Sequence, residues 1–206
     1  MYLCKFSQVW AVAMSGDGAY VACGDYDNTV VLRRVDSGAT VLCHSFTSSS
    51  GPAFVWSLAI SFDGARLVAG SWNGEVLMWQ RSSLGMTYRL TGSLKRSDRV
   101  FAVALAPGLV AVGDRSGCAS VFQYNQDNAP LATPEQTENE NSDRKLLSPF
   151  FPPVKASESG QGLLSNNAIG ACVLQVEYPN RVFSVSLSSD GRLFALAGVH
   201  KEVKFA

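Results

Sequence analysis

The decisive stretch runs from Val55 to Trp79: Val-Trp-Ser-Leu-Ala-Ile-Ser-Phe-Asp-Gly-Ala-Arg-Leu-Val-Ala-Gly-Ser-Trp-Asn-Gly-Glu-Val-Leu-Met-Trp. The chain copies it. Val9 to Arg33 matches it without a gap, Val100 to Phe122 matches it with a shortened Asp-Gly turn, and Val182 to Ala206 follows it to the last residue. Self-similarity at a period of roughly 40 to 50 residues marks a solenoid or a propeller, because each unit is too small to bury its own apolar face and must stack on its neighbours.

Within a copy the apolar residues recur with period two, and β-branched and aromatic residues lie between turn signals, so each copy reads as short strands. Val9 to Ser15 is a first strand, closed by the turn Gly16-Asp17-Gly18; Asp63-Gly64 and Asp190-Gly191 stand at the same place. Glycine accepts positive φ there and aspartate bonds its own backbone, so these aspartates read as turn formers rather than catalysts. The second strands, Ala19 to Gly24, Arg66 to Gly70, Leu109 to Gly113 and Leu193 to Gly198, are rich in Val, Ala and Gly. Small residues suit a place where neighbouring sheets converge.

A second tight turn follows at Tyr26-Asp27-Asn28, Trp72-Asn73-Gly74, Arg115-Ser116-Gly117 and His200-Lys201. Third strands then run Thr29 to Arg33, Glu75 to Trp79, Cys118 to Phe122 and Glu202 to Ala206. Ala39 to Phe46, Met86 to Leu90 and Ala171 to Glu177 are candidates for more polar outer strands, and Tyr2 to Phe6 resembles them.

Residues 125–168 break the rhythm. The run is polar, acidic and Pro-rich, and it buries too little to offset its ordering entropy, which predicts a disordered insertion between residues 1–124 and 169–206. Phe150-Phe151-Pro152-Pro153 inside it has the composition of a docking peptide or a plain linker, and Ser148-Pro149 and Thr133-Pro134 are candidate phosphorylation sites.

Lys plus Arg equals Asp plus Glu at 17 each, so no overall field favours nucleic acid or an anionic membrane. Cys4, Cys23, Cys43, Cys118 and Cys172 are scattered, with no Cys-x-x-Cys pair, which argues against a disulfide framework and against a zinc site. The opening residues lack signal-peptide character, and no stretch approaches the roughly 20 apolar residues of a membrane helix, so a cytoplasmic or nuclear placement is expected.

The four copies together resemble the WD-repeat family of β-propellers over about three quarters of the chain, by the order in which their strands and turns recur. The resemblance implies an all-β propeller with about four four-stranded blades visible; because such propellers usually have seven or eight, the chain is a fragment of a longer propeller, or pairs with a second half, or closes as four blades, and the first of these, an incomplete ring, is the one expected. It also implies that a turn residue, usually Asp, and a closing Trp belong to a hydrogen-bonded set. At those positions stand Asp27 and Arg33, Asn73 and Trp79, Ser116 and Phe122, and His200 and Ala206, with no Gly-His anywhere, so the set is degenerate.

Chemistry finds little support. His44 and His200 have no Ser or Cys with an acid beside them in a nucleophile motif, Gly16-Asp17-Gly18 lacks the Lys-Ser/Thr and helix of a phosphate loop, and no cofactor or metal is expected. What remains is a surface. Trp10, Trp56, Phe101 and Phe183 hold the second position of the first strand once per copy, so radial repetition arranges them around the mouth of a central channel, or else packs them between blades. Lys95, Arg96 and Arg99 precede the third copy, and Arg115 and Trp72 lie in turns expected on the same side, a combination that reads as a solvated charged loop or suits an acidic or phosphorylated peptide. The expected function is a non-enzymatic scaffold for protein–protein interaction, or alternatively a regulatory or substrate-receptor segment of a larger ubiquitin-ligase or kinase assembly. An open arc also exposes its terminal blades, which invites self-association.

Overall fold

A computed structural model describes residues 8–47, 52–82, 87–125 and 168–199, and the strand Lys204–Phe205. The described residues form strands and no helix. β1 (Val9–Met14), β2 (Tyr20–Asp25), β3 (Thr29–Arg34) and β4 (Thr40–Ser45) make the first antiparallel sheet in that order. β5 (Val55–Ile60), β6 (Arg66–Ser71), β7 (Glu75–Arg81) and β8 (Tyr88–Lys95) make the second, and β9 (Val100–Ala106), β10 (Leu109–Asp114), β11 (Cys118–Tyr124) and β12 (Ile169–Glu177) the third. β13 (Val182–Leu187), β14 (Phe194–Gly198) and β15 (Lys204–Phe205) make the fourth.

Each sheet is one blade, and the expected strand order holds. The outer strand β8 runs on past its expected end at Leu90 to Lys95, and β12 starts before its expected first residue, at Ile169, because backbone pairing with β7 and β11 continues beyond the segments that carry a periodic signal. The outer strand expected over residues 2–6, the insertion over 126–167 with its docking and phosphorylation motifs, and the turn at His200 lie outside the described residues.

The blades succeed one another through their inner strands, β5 against β1, β9 against β5 and β13 against β9. Glycine sets the approach. A Cβ on Gly24 would lie 2.3 Å from Val55 Cγ1, one on Gly70 2.4 Å from Val100 Cγ1, and one on Gly113 2.6 Å from Val182 Cγ1, all well inside contact distance. The small-residue second strands thus face the inner strand of the following blade.

Three apolar clusters fill the blade boundaries. Tyr20, Ala22, Val30 and Leu32 of the first blade meet Val55, Leu67 and Trp79 of the second, and comparable sets join the second to the third and the third to the fourth. Each fully buried Val or Leu contributes roughly 1.5–3 kcal/mol, so these clusters carry the stability of the arc. The arc stays open. Leu58 and Ile60 are partly buried against the first blade, whereas their counterparts Val12 and Met14 are 66% and 62% exposed.

The first turns form one device. Ser15 Oγ donates to Asp17 Oδ1 at 2.6 Å, Ser61 to Asp63 at 2.7 Å and Ser188 to Asp190 at 2.6 Å, while each serine oxygen accepts the amide five residues on at 2.9 Å. These aspartates are turn formers, and the serine before each completes the turn. In the third blade Pro107-Gly108 replaces the device, with Gly108 at φ 76°.

Candidate docking surface

The first residues of the inner strands and the second turns lie at one end of every blade, and there the aromatic side chains touch in series. Trp10 lies 4.7 Å from Trp56, Trp56 5.2 Å from Phe101, and Phe101 5.3 Å from Phe183, ring centre to ring centre. Four residues from four blades therefore form one arc. Trp72 joins it at 5.1 Å from Trp56 and 5.9 Å from Phe101.

Phe54 and Tyr26 extend the cluster: their rings stack at 4.1 Å, and Phe54 lies 5.5 Å from Trp72. Tyr26 occupies the turn position of Trp72, a register signal legible in the repeat, whereas Phe54 stands just before its strand and has no aromatic counterpart. Burial varies along the arc. Phe101 is buried among its neighbours, while Trp10 and Phe183 at the two ends are 44% and 47% exposed.

The cations divide by environment. Arg99 lays its guanidinium 4.0 Å from the centre of the Trp72 ring, a cation–π contact within the aromatic surface. Lys95 Nζ donates to the Asn73 carbonyl at 2.9 Å and sits 4.0 Å from Glu75, so it braces the second turn of its own blade. Arg96 turns inward. Its guanidinium donates twice to Asp114 Oδ2, at 2.9 and 3.2 Å, with the Asp114 side chain fully buried, which commits this charge to the interior.

Arg115 donates its amide to the Arg99 carbonyl at 2.9 Å. It holds the turn position of Trp72, and Arg181 holds the pre-strand position of Arg99. Their turns are superposable in kind: a Cβ on Gly74 would meet the carbonyls of Arg96 and Asp98, and one on Gly117 those of Tyr178 and Asn180. At the positions where the second boundary has a ring and a cation, the third has two cations. Among the described residues neither Arg115 nor Arg181 has a carboxylate within ion-pair distance.

The acceptor of the second turn is not Asp27, which is exposed. Asp25 Oδ1 accepts the Thr29 amide at 2.7 Å, and Asp114 Oδ1 the Cys118 amide at 3.0 Å. Both sit two positions earlier, at the buried end of a second strand, from which a carboxylate reaches back over the turn. In the second blade Ser71 and Asn73 share the task, both accepting from the Glu75 amide at 3.1 Å. Burial raises the Asp25 carboxyl above its ordinary range, with the Thr29 amide pulling the other way. Trp79 is buried, with His44 packed edge-on at 5.2 Å, and burial lowers the His44 imidazole. Among the described residues no cluster of His, Cys, Asp or Glu could hold a metal, and no helix is long and apolar enough to cross a membrane.

A family profile described as "WD domain, G-beta repeat" matches residues 3–33 and 40–80. A search of curated proteins by sequence finds no match. Among solved structures the chain is similar to "Structure of U3-55K", with TM-score 0.60 and 12% identity over 99% of this chain and 50% of that one. It is similar also to "Crystal structure of RRP9 WD40 repeats", with TM-score 0.59 and 12% identity over 96% of this chain and 46% of that one. The chain thus spans about half the length of the solved structures it matches. With the repeats of its first two blades matched by profile and its arc of blades matched by fold, the chain carries WD-type repeats in a β-propeller fold.

Proposed function

We propose that the chain is a non-enzymatic interaction scaffold of the cytoplasm or nucleus, and that the aromatic arc with its flanking arginines is where a protein or peptide docks. The supporting observation is the unbroken series Trp10–Trp56–Phe101–Phe183, with Arg115 and Arg181, which lack carboxylate partners among the described residues, at the turn and pre-strand positions that Trp72 and Arg99 hold one boundary earlier. Aromatic rings held by their neighbours bury large area at low entropic cost, and guanidiniums recognise carboxylate or phosphate by charge-assisted hydrogen bonds. Trp72 and Arg99 supply the middle of the surface. Lys95 lies at its margin, and Arg96 supports it from beneath through Asp114.

The ligand this surface suits is an acidic or phosphorylated segment with one apolar anchor. A fluorescence titration against a panel of aromatic-anchored peptides, each with serine or phosphoserine, tests this. The phosphoserine forms bind at least tenfold more tightly, and Arg115→Gln removes that preference. Equal binding of both forms, or no binding by any peptide, contradicts the reading.

A further inference from the structure

We propose that the docking surface is divided into two subsites, an aromatic anchor subsite at the first blade boundary and a phosphate subsite at the third, so that the position of each end of a phosphorylated segment is fixed. The assignment rests on the docking role of this surface and gives that role a direction. All three boundaries lie inside the arc and are built alike. At each, the second turn of one blade meets the residues that precede the inner strand of the next: Asn28 Oδ1 accepts the Ala53 amide at 2.9 Å, and a Cβ on Gly74 or Gly117 would lie 2.9 or 2.8 Å from the carbonyl oxygen of Asp98 or Asn180.

Within this common frame the chemistry changes in steps. At the first boundary Tyr26 stacks on Phe54 at 4.1 Å, and the turn carries the exposed carboxylate of Asp27. At the second, the ring of Trp72 lies under Arg99 at 4.0 Å, with Asp98 next in sequence to that cation. At the third, Arg115 and Arg181 hold the positions of Trp72 and Arg99, and Asn180 holds that of Asp98.

The exchange of Asp98 for Asn180 is the telling one. Asp98 Oδ1 accepts the Arg99 amide at 2.8 Å and Asn180 Oδ1 accepts the Arg181 amide at 2.8 Å, so both make the same backbone bond. Asn180 makes it without a charge. Glu177, at the register of Lys95, lies within ion-pair distance of neither Arg115 nor Arg181, and among the described residues no other carboxylate does. A phosphate therefore meets two cations at the third boundary and a carboxylate at the first, whereas an aromatic side chain finds its stacking partners at the first. Ring-to-ring steps of 5.5, 5.9 and 5.3 Å lead from Phe54 through Trp72 and Phe101 to Phe183, two residues after Arg181. At about 3.3 Å per extended residue, a segment of about five residues covers that path.

The test titrates the full chain into labelled peptides that carry one phenylalanine and, about four residues away, serine or phosphoserine, with fluorescence anisotropy as the readout. Asn180→Asp keeps the acceptor for the Arg181 amide and adds one carboxylate, so it should reduce the preference for the phosphoserine form roughly threefold or more. Tyr26→Ala should weaken both forms several-fold by the same factor and leave the preference in place. An undiminished preference in Asn180→Asp, or its loss in Tyr26→Ala, would overturn the assignment while the docking surface itself stands. A native chain that binds both forms equally, or neither, would overturn the assignment together with the proposed function.

Discussion

Arg81 of the second blade donates to the Tyr20 hydroxyl of the first at 2.8 Å and lies 5.4 Å from that ring, and one boundary further the same two positions exchange partners. There Arg66, at the register of Tyr20, lies 5.0 Å from the ring of Tyr124, at the register of Arg81. The boundary needs one cation and one ring, and either blade can supply either. Replacing Tyr20 by Phe keeps the ring but removes the hydroxyl, so a loss of about 1 kcal/mol is expected. The urea midpoint, with unchanged slope, reads it.

Gly70→Ala puts a methyl 2.4 Å from Val100 Cγ1 and 3.0 Å from Val103 Cγ1. Overpacking of this kind costs about 1–3 kcal/mol. Val100→Ala, destabilising by itself, should restore part of that loss in the double variant. A double-mutant cycle with no coupling would mean that the blades do not approach as described.

Asp114 accepts from the Arg96 guanidinium, from the Ser116 hydroxyl at 2.6 Å and from the Cys118 amide at 3.0 Å, with its side chain fully buried. Asp114→Ala strands a mostly buried guanidinium and an amide together, and breaking such a pair costs roughly 3–5 kcal/mol. Asp27→Ala, at an exposed turn tip, should cost less than about 0.5 kcal/mol. Equal losses would return the family's acidic role to Asp27.

The Asp25 carboxyl is raised by burial, so the folded state holds its proton to higher pH than the unfolded chain does. Its contribution is therefore most favourable below the ordinary carboxylate range and declines as pH rises through the raised folded value. Asp25→Asn keeps an oxygen for the Thr29 amide and removes this charge. The variant should be more stable than the native chain at pH 7, with the gain shrinking towards pH 3. A gain that grows on acidification would reverse the sign. Asp17 behaves oppositely, because the Ser15 hydroxyl and then the Ala19 amide hold its carboxyl low, so its contribution fades on acidification.

The blades were legible because Val55–Trp79 and its copies alternate with period two, and because Asp17-Gly18, Asp63-Gly64 and Asp190-Gly191 declare their turns by chemistry alone. The aromatic arc was legible in its four strand positions for the same reason: repetition about an axis brings equivalent residues together. Contacts between non-equivalent positions were hidden. Phe54 and Tyr26 stack across a blade boundary, and Arg96 finds Asp114 rather than solvent, through an approach of strands that no local pattern specifies. The acceptor of the second turn was misplaced by two residues, because an Asp at the tip and an Asp at the strand end look alike until burial separates Asp27 from Asp25.

The rim surface has a built-in reporter in its tryptophans. Trp10, Trp56 and Trp72 belong to the arc, while Trp79 is buried at the first blade boundary beside His44. Indole N–H resonances recorded while a phosphoserine peptide with one aromatic anchor is titrated should shift for Trp10, Trp56 and Trp72 and stay still for Trp79, and Trp10→Ala with Arg99→Gln should abolish the shifts while the fold persists. Movement of Trp79 alone, or binding undiminished in that double variant, would place the docking surface elsewhere.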